Sequence, residues 1–375
     1  MSDHQHQAPA SSQGETPEQA AELAQLRVSI DAIDTELLKL INERAKLAQR
    51  VGQIKRGSFY RPEREAQVLR KVEDRNPGPL PLASAQRIVR EIMSACLALE
   101  QPLTVAFLGP VGTYSESAAR KHFGGAPTMQ PCAAIDDVFR SVESGNAHYG
   151  VVPVENSTEG AVGRSLDLLL SSSLKICGEV NLPIHHNLMG SVESLAEIKK
   201  VYSHAQSLGQ CHEWLNRNLP NVPRISVASN AEAARLAAAE QGACAIAGES
   251  AAELYKLAIL AANIEDDPRN TTRFVIVSDH DAAASGKDKT SLVCSTLNKP
   301  GAVHELLGPL ARNGVSMSHF ESRPAKGFGG SRWEYVFYID IDGHRDDPAV
   351  SKALYELREV AGYVKELGSY PVAVY

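Results

Sequence analysis

Apolar residues recur at helical spacing across 17–56, at Leu23, Leu26, Ile30, Ile33, Leu37, Leu40, Leu47, Val51 and Ile54, and no glycine or proline interrupts them between Pro17 and Gly52. The pattern predicts one very long helix. A single helix cannot hide such a stripe, so it must pack on other helices or on another chain. A second helix is expected over 61–74, with Pro62 in its first turn. The run Asn76-Pro77-Gly78-Pro79-Leu80-Pro81 breaks the pattern, and a third helix is expected over 84–100. The first hundred residues therefore read as all-α.

At Pro102 the period changes. Short apolar strands are expected at 103–108, 149–154, 174–180, 200–203, 243–247 and 272–277. They alternate with helices at 115–122, 135–144, 161–170, 208–218, 231–241 and 250–257. Such alternation predicts an α/β domain with mostly parallel sheets. A last strand returning to the first lobe would leave a cleft between two lobes. The stretch 278–289 reads as linker, and 290–375 follows the α+β order βαββαβ. The expected organisation is a disordered leader (1–19), a helical domain (20–101), a two-lobed α/β domain (102–279), a linker (280–289) and the α+β domain (290–375).

Composition narrows the function classes. A chain of 375 residues is too long for one ordinary core. Its net charge of -7 argues against nucleic-acid binding, which needs a basic surface. Six cysteines (96, 132, 177, 211, 244, 294) form no CxxC pair, the usage of a reducing compartment rather than of bridges or zinc. No run approaches a membrane span and no basic-then-apolar leader is read, so the expected compartment is the cytoplasm. No GxGxxG follows an expected strand, which disfavours a nicotinamide cofactor, and no spacing suggests a metal.

Two places carry candidate chemistry. Arg44 and Lys55 stand on the long helix where leucines would continue the stripe, eleven residues apart, or about 16 Å along one face. Either both snorkel to solvent, or the partner they lack is a dianionic ligand. The second place is Asn270-Thr271-Thr272-Arg273-Phe274 at a strand entrance. A hydroxyl, an amide and a guanidinium there can protonate a leaving group and hold a carboxylate; the alternative is a capped turn with a surface arginine.

This segment, Gly109-Pro110-Val111-Gly112-Thr113-Tyr114-Ser115 and Val152-Pro153-Val154-Glu155-Asn156-Ser157-Thr158-Glu159-Gly160 together resemble the prephenate dehydratase signatures. Leu26-Arg27, Glu43-Arg44, Lys55 and Pro62-Glu63-Arg64-Glu65 resemble the all-helical chorismate mutases fused to them. The resemblance implies that Arg44, Lys55 and Arg64 grip the carboxylates and ether oxygen of chorismate, with Glu65 nearby and Arg27 contributed by a partner chain. Arg27 lies about 100° around the helix from Arg44, so one protomer cannot aim both at one pocket. Glu100 stands where many relatives have a glutamine that donates to the ether oxygen, and a carboxyl can donate only when protonated. Cys96 replaces a nearby serine at the substrate.

For the dehydratase, the resemblance implies a two-lobed fold like that of periplasmic binding proteins. It makes Thr272 the proton donor or leaving-group stabiliser and Arg273 a carboxylate binder. Asn156 and Ser157 join them as catalytic candidates, and Glu155, Thr113 and Ser115 as substrate-binding ones. Ser203-His204-Ala205-Gln206 and Gln210-Cys211 resemble a further family element, which adds Ser203, Gln206 and Gln210; His185, His186 and His204 read as structural. Asn298-Lys299-Pro300-Gly301-Ala302-Val303 and Glu321-Ser322-Arg323-Pro324 resemble the phenylalanine-binding motifs of ACT regulatory domains. Gly301, Ala302, Val303, Glu321, Ser322, Arg323 and Pro324 would then bind phenylalanine at an interface between paired domains. The implied protein is a bifunctional, phenylalanine-inhibited homo-oligomer, dimer or tetramer, that takes chorismate and prephenate without a cofactor. An inactive mutase domain and a non-catalytic amino-acid sensor are the competing readings.

Overall fold

The computed structural model describes residues 16–54, 60–296, 299–324 and 335–374. Most of the expected leader, together with Lys55 and Asn298, lies outside the described residues. The chain divides into two units, residues 1–55 and 56–375.

The first unit is α1 (Pro17–Ile54), a single uninterrupted helix with no buried residue. Its stripe from Leu23 to Ile54 is exposed, Ile54 to 75% and Ile33 to 67%. Propensity carries a helix of this length only marginally, because most helical stability comes from a packed apolar face.

The second unit begins with an α-hairpin, α2 (Pro62–Arg75) and α3 (Leu82–Ala98). Pro62 opens α2 where a missing N–H costs nothing. The hairpin is tied to the α/β domain. Arg90 Nη1 donates to the Lys121 carbonyl at 2.8 Å, and Ser94 Oγ accepts from the Ala126 amide at 3.3 Å. Tyr60 packs among Phe123, Tyr149 and His122 and bonds His122 Nε2 through its hydroxyl at 2.9 Å.

The α/β domain has two lobes. The first holds β1 (Thr104–Leu108), α4 (Tyr114–Phe123), β2 (Thr128–Cys132), α5 (Ile135–Glu143), β3 (Tyr149–Asn156), β4 (Gly160–Ala161), α6 (Gly163–Ser171) and β5 (Lys175–Pro183). The second holds β6 (Asn187–Gly190), β7 (Lys200–His204), α7 (Ala205–Gln210), α8 (His212–Asn218), β8 (Arg224–Val227), α9 (Asn230–Ala239), β9 (Ala243–Ala247), α10 (Glu249–Tyr255) and β10 (Ala258–Ala261). The chain then returns as β11 (Thr271–Ser278) to lie between β3 and β5, giving the orders β2-β1-β3-β11-β5 and β10-β6-β9-β7-β8.

Both sheets are mixed, which corrects the expectation of mostly parallel ones. β11 runs antiparallel to both β3 and β5, because it re-enters the first lobe from the second lobe's side. β6 is likewise antiparallel to β9 and β10. The helix expected over 208–218 is two helices, parted at the buried Cys211, whose backbone (φ -117, ψ 19) leaves the helical region. Two short crossovers join the lobes and brace each other: the Ile184 amide donates to the Asn270 carbonyl, and the Ile264 amide to the His186 carbonyl, both at 2.8 Å.

The C-terminal domain is β12 (Asp288–Ser295), α11 (Ala302–Arg312), β13 (Met317–Pro324), β14 (Tyr335–Asp342), α12 (Pro348–Val360) and β15 (Tyr363–Pro371), in one antiparallel sheet of order β13-β14-β12-β15. Its sheet shares a core with the first lobe: Val293, Val336, Tyr338, Leu367 and Tyr370 pack with Val152, Leu166, Leu169, Ile176 and Val275. Gly368 permits this approach, since a methyl there would collide with the Ile176 carbonyl.

Candidate active site

The end of β3, the start of β11 and the crossovers meet where the lobes join. Thr272 is the register partner of Asn156. The Asn156 amide nitrogen donates to Thr272 Oγ1 at 2.8 Å and to Asn270 Oδ1 at 2.8 Å. Asn156 Oδ1 in turn accepts from the Thr158 hydroxyl at 2.6 Å and from the Thr158 and Glu159 amides at 3.0 and 3.1 Å. Asn156 is therefore held at both ends, and Thr272 uses a lone pair in this bond rather than its proton. Ser157 lies alongside, accepting from the Thr271 amide at 3.0 Å.

The second lobe reaches this cluster through Gln210. Its amide nitrogen donates to Thr158 Oγ1 at 2.9 Å, and its oxygen accepts from Asn270 Nδ2 at 3.1 Å and faces His186 Nε2 at 2.8 Å. His186 Nδ1 meets the Tyr114 hydroxyl at 2.9 Å. Burial draws the His186 pKa down, with the Gln210 bond opposing. Glu265 accepts from the His186 amide and faces His185 Nδ1, both at 2.8 Å. Burial alone would raise the Glu265 pKa; those two bonds outweigh it and hold it low. Asn270, Glu265, His186 and Tyr114 are thus part of the site's framework. Glu265 opens the acidic run Glu265-Asp266-Asp267 just ahead of Thr272, Tyr114 lies within the Gly109–Ser115 segment, and His186, expected to be structural, joins them.

Other candidates sit elsewhere. Thr113 caps α4, accepting from the Glu116 amide and donating to the Leu108 carbonyl at 3.1 Å. Its loop's Gly112 amide is taken by the Glu116 carboxylate at 2.7 Å, so an internal anion fills that helix start. Ser115 is buried in α4, and the fully buried Ser203 hydroxyl bonds the Ile246 carbonyl at 2.8 Å. Gln206 is exposed at the start of α7.

Arg273 departs furthest from its expected place. Strand alternation turns it away from Thr272. Its Nε donates to Glu179 at 2.9 Å, Nη1 to Asp340 at 2.5 Å and Nη2 to the Tyr370 hydroxyl at 2.9 Å. Burial pulls its pKa down, but Tyr370, Asp340 and Glu179 outweigh that and hold it raised. Glu155, its register partner, shares this orientation, with Oε2 lying 3.6 Å from His319 Nδ1.

Among the helical-domain candidates, Arg27 and Arg44 are exposed on α1. Arg64 is exposed on α2, whereas Glu65 is paired with Arg90 at 3.0 Å. Burial raises the Glu65 pKa, and Arg90 only partly offsets this. Cys96 is buried in α3, and Glu100 lies half-buried just beyond its end.

In the C-terminal domain Gly301 takes the left-handed conformation (φ 82) that starts α11, with Ala302 buried and Val303 exposed. On β13, Glu321 and Arg323 are half-buried and Ser322 and Pro324 exposed. Arg323 lies 3.7 Å from Asp167 and covers Gly163, both on α6. No group of three or more His, Cys, Asp or Glu among the described residues could hold a metal.

Known proteins resemble this chain over most of its length. Family models match as chorismate mutase type II over residues 26–101, prephenate dehydratase over 105–282 and ACT domain over 290–359. A bifunctional chorismate mutase/prephenate dehydratase of Neisseria gonorrhoeae is 55% identical, covering 93% of this chain and 96% of that protein. A protein of the same name from Stutzerimonas stutzeri is 50% identical over 95% of this chain and 99% of its own length. A solved prephenate dehydratase from Arthrobacter aurescens in complex with L-Phe is 34% identical, with a TM-score of 0.65, over 72% of this chain and 90% of its own. With three domain models in order and relatives matched nearly end to end, the chain belongs to the bifunctional chorismate mutase/prephenate dehydratase family and joins a mutase, a dehydratase and an ACT domain in one polypeptide.

Proposed function

We propose that Thr272 is the group against which prephenate sheds its ring hydroxyl, and that phenylalanine inhibits this step from the ACT domain. Decarboxylation supplies the electron pair: the bond to the departing carbon dioxide breaks, the ring becomes aromatic, and hydroxide is expelled from the opposite carbon. No base is required, only a hydrogen-bond donor where negative charge develops. The observation that carries this reading is the 2.8 Å bond from Asn156 to Thr272 Oγ1, which leaves the threonine proton to point at a ligand. Ser157, Gln210 and Asn270 complete the walls of the site.

In the mutase step Arg27, Arg44, Lys55 and Arg64 clamp the reactive conformer of chorismate, and Glu100 donates to its ether oxygen when protonated. Positioning and charge stabilisation suffice for an intramolecular rearrangement. The exposed apolar stripe of α1 supports a homo-oligomer, dimer or tetramer, in which a partner chain supplies Arg27. The structure of the Arthrobacter aurescens prephenate dehydratase in complex with L-Phe supports phenylalanine as the ACT ligand. Six unpaired, buried cysteines agree with a reducing cytoplasm.

The test is to supply chorismate to the full chain and follow prephenate and phenylpyruvate separately, with and without phenylalanine. Phenylpyruvate that declines on adding phenylalanine is the expected result. Conversion stopping at prephenate would overturn the dehydratase assignment, and turnover indifferent to phenylalanine would overturn the regulatory one. Thr272→Ala should abolish phenylpyruvate formation while phenylalanine still binds.

A further inference from the structure

The strands that hold Thr272 against Asn156 carry Arg273 opposite Glu155 one register step away. Successive side chains point to opposite faces of a sheet, so one face of this corner meets the cleft and the other meets the ACT domain. On the ACT face Arg273 is gripped by Glu179 of β5, Asp340 of β14 and Tyr370 of β15. Asp340 is fixed in turn by Ser291 of β12 at 2.5 Å, and Ser291 meets the Tyr370 hydroxyl at 2.6 Å. Lys289 donates to both Glu179 oxygens at 3.1 and 3.0 Å. Glu155, Arg273, Ser291, His319, Tyr338 and Asp340 line a small cavity between the two domains. Just beyond Arg273 the register with β3 shifts by one residue before pairing resumes at Phe274 and Pro153, so these two steps stand at a bulge.

We infer that Arg273 and Glu155 are positioning residues through which the ACT domain sets the geometry of Thr272 and Asn156, and that Arg273 is not a ligand for the substrate carboxylate. This rests on the proposed control by phenylalanine. Reaching the cleft would strip Arg273 from three partners and leave Glu179 and Asp340 buried without it. Staying in place, it ties β14 and β15 of the ACT sheet directly, and β12 through Ser291, to the residue beside Thr272. A hydrogen bond at 2.8 Å weakens steeply once stretched or bent, and a misplacement of about 1 Å near the reacting groups can cost about 100-fold in rate. Small shifts of β14 and β15 relative to the first lobe therefore suffice to switch the dehydratase. Coupling of this kind is a difference in affinity between two arrangements, and it must act in both directions.

The test uses the full chain with two variants, and near-ultraviolet circular dichroism with the melting temperature reports that the dehydratase and ACT domains of each are folded. Arg273→Lys keeps the charge but loses the planar fork. Its dehydratase kcat should fall about tenfold or more, with KM for prephenate within about twofold of native. A KM raised about tenfold at unchanged kcat would mean that Arg273 does hold the substrate, and would overturn the inference. Asp340→Asn should bind phenylalanine, by calorimetry without substrate, within about twofold of native. At saturating phenylalanine, however, it should retain at least about fivefold more of its own turnover than native does. Inhibition identical to native in Asp340→Asn would overturn the coupling route. A native chain that turns over prephenate and ignores phenylalanine would instead remove the regulatory reading, while the kcat and KM of Arg273→Lys would still decide Arg273's role.

Discussion

Asn156 donates its side-chain amide to Thr272 Oγ1 at 2.8 Å, and its own oxygen is held by Thr158 and Glu159. The direction of this bond decides what Thr272 can offer. Asn156→Asp would reverse it, because a carboxylate only accepts and would capture the threonine proton. Dehydratase kcat should then fall about 100-fold or more, the scale for losing one donor at a developing anion. Thr272→Ser should keep activity within about tenfold of native. Equal turnover in Asn156→Asp and native would refute the assignment.

The crossovers supply a pH-dependent brace. The Glu265 pKa is held below the usual glutamate range in the folded chain by His185 and the His186 amide, against the opposing effect of burial. A depressed carboxylate contributes stability above its unfolded pKa of about 4.3 and loses it as pH falls through the folded value. Glu265→Gln should therefore lower the melting temperature at neutral pH, and its difference from native should shrink below about pH 4.3. A constant difference across that range would count against this role.

His122 gives a second acid-sensitive contribution of different origin. Burial, aided by the Arg90 charge, pulls its pKa down to about 3. Below about pH 6.5 the unfolded histidine takes up a proton that the folded one refuses, so stability drains away between about pH 6.5 and the folded value. Replacement by glutamine, which can still meet the Tyr60 hydroxyl, should flatten the melting temperature over that interval. Parallel curves for variant and native would remove His122 as the cause.

Mutase activity should fall as pH rises, because Glu100 donates to the ether oxygen only as the neutral acid. Glu100→Gln, a permanent donor, should flatten the profile of chorismate consumption between about pH 5 and 8. A flat native profile would rule this role out.

Much of this was legible in the residues. The helical stripe of α1, the bounds of β9 and the βαββαβ order all follow from periodicity. Thr272 and Asn156 were marked by their local segments. The partners of Arg273 (Glu179, Asp340 and Tyr370) lie far off in sequence and leave no local signal, although strand alternation at 272–273 puts the Thr272 and Arg273 side chains on opposite faces. The direction of β11 is set by how the chain crosses between lobes, which no local pattern reports. β2 is missing from the strands expected from the sequence; it carries Pro131 and lies at a sheet edge, where proline is tolerated.

The shared core of the first lobe and the ACT sheet has a consequence for how such an enzyme can be cut. Lys365 of β15 reaches the carbonyls of Leu169, Leu170 and Ser172 at the end of α6, and the Tyr338 hydroxyl donates to the Leu166 carbonyl at 2.8 Å. The ACT sheet thus finishes a helix of the dehydratase and covers the apolar floor beneath it. Excising it would yield an incomplete enzyme rather than an unrestrained one, so feedback control should be abolished by substitutions at the seam and not by truncation.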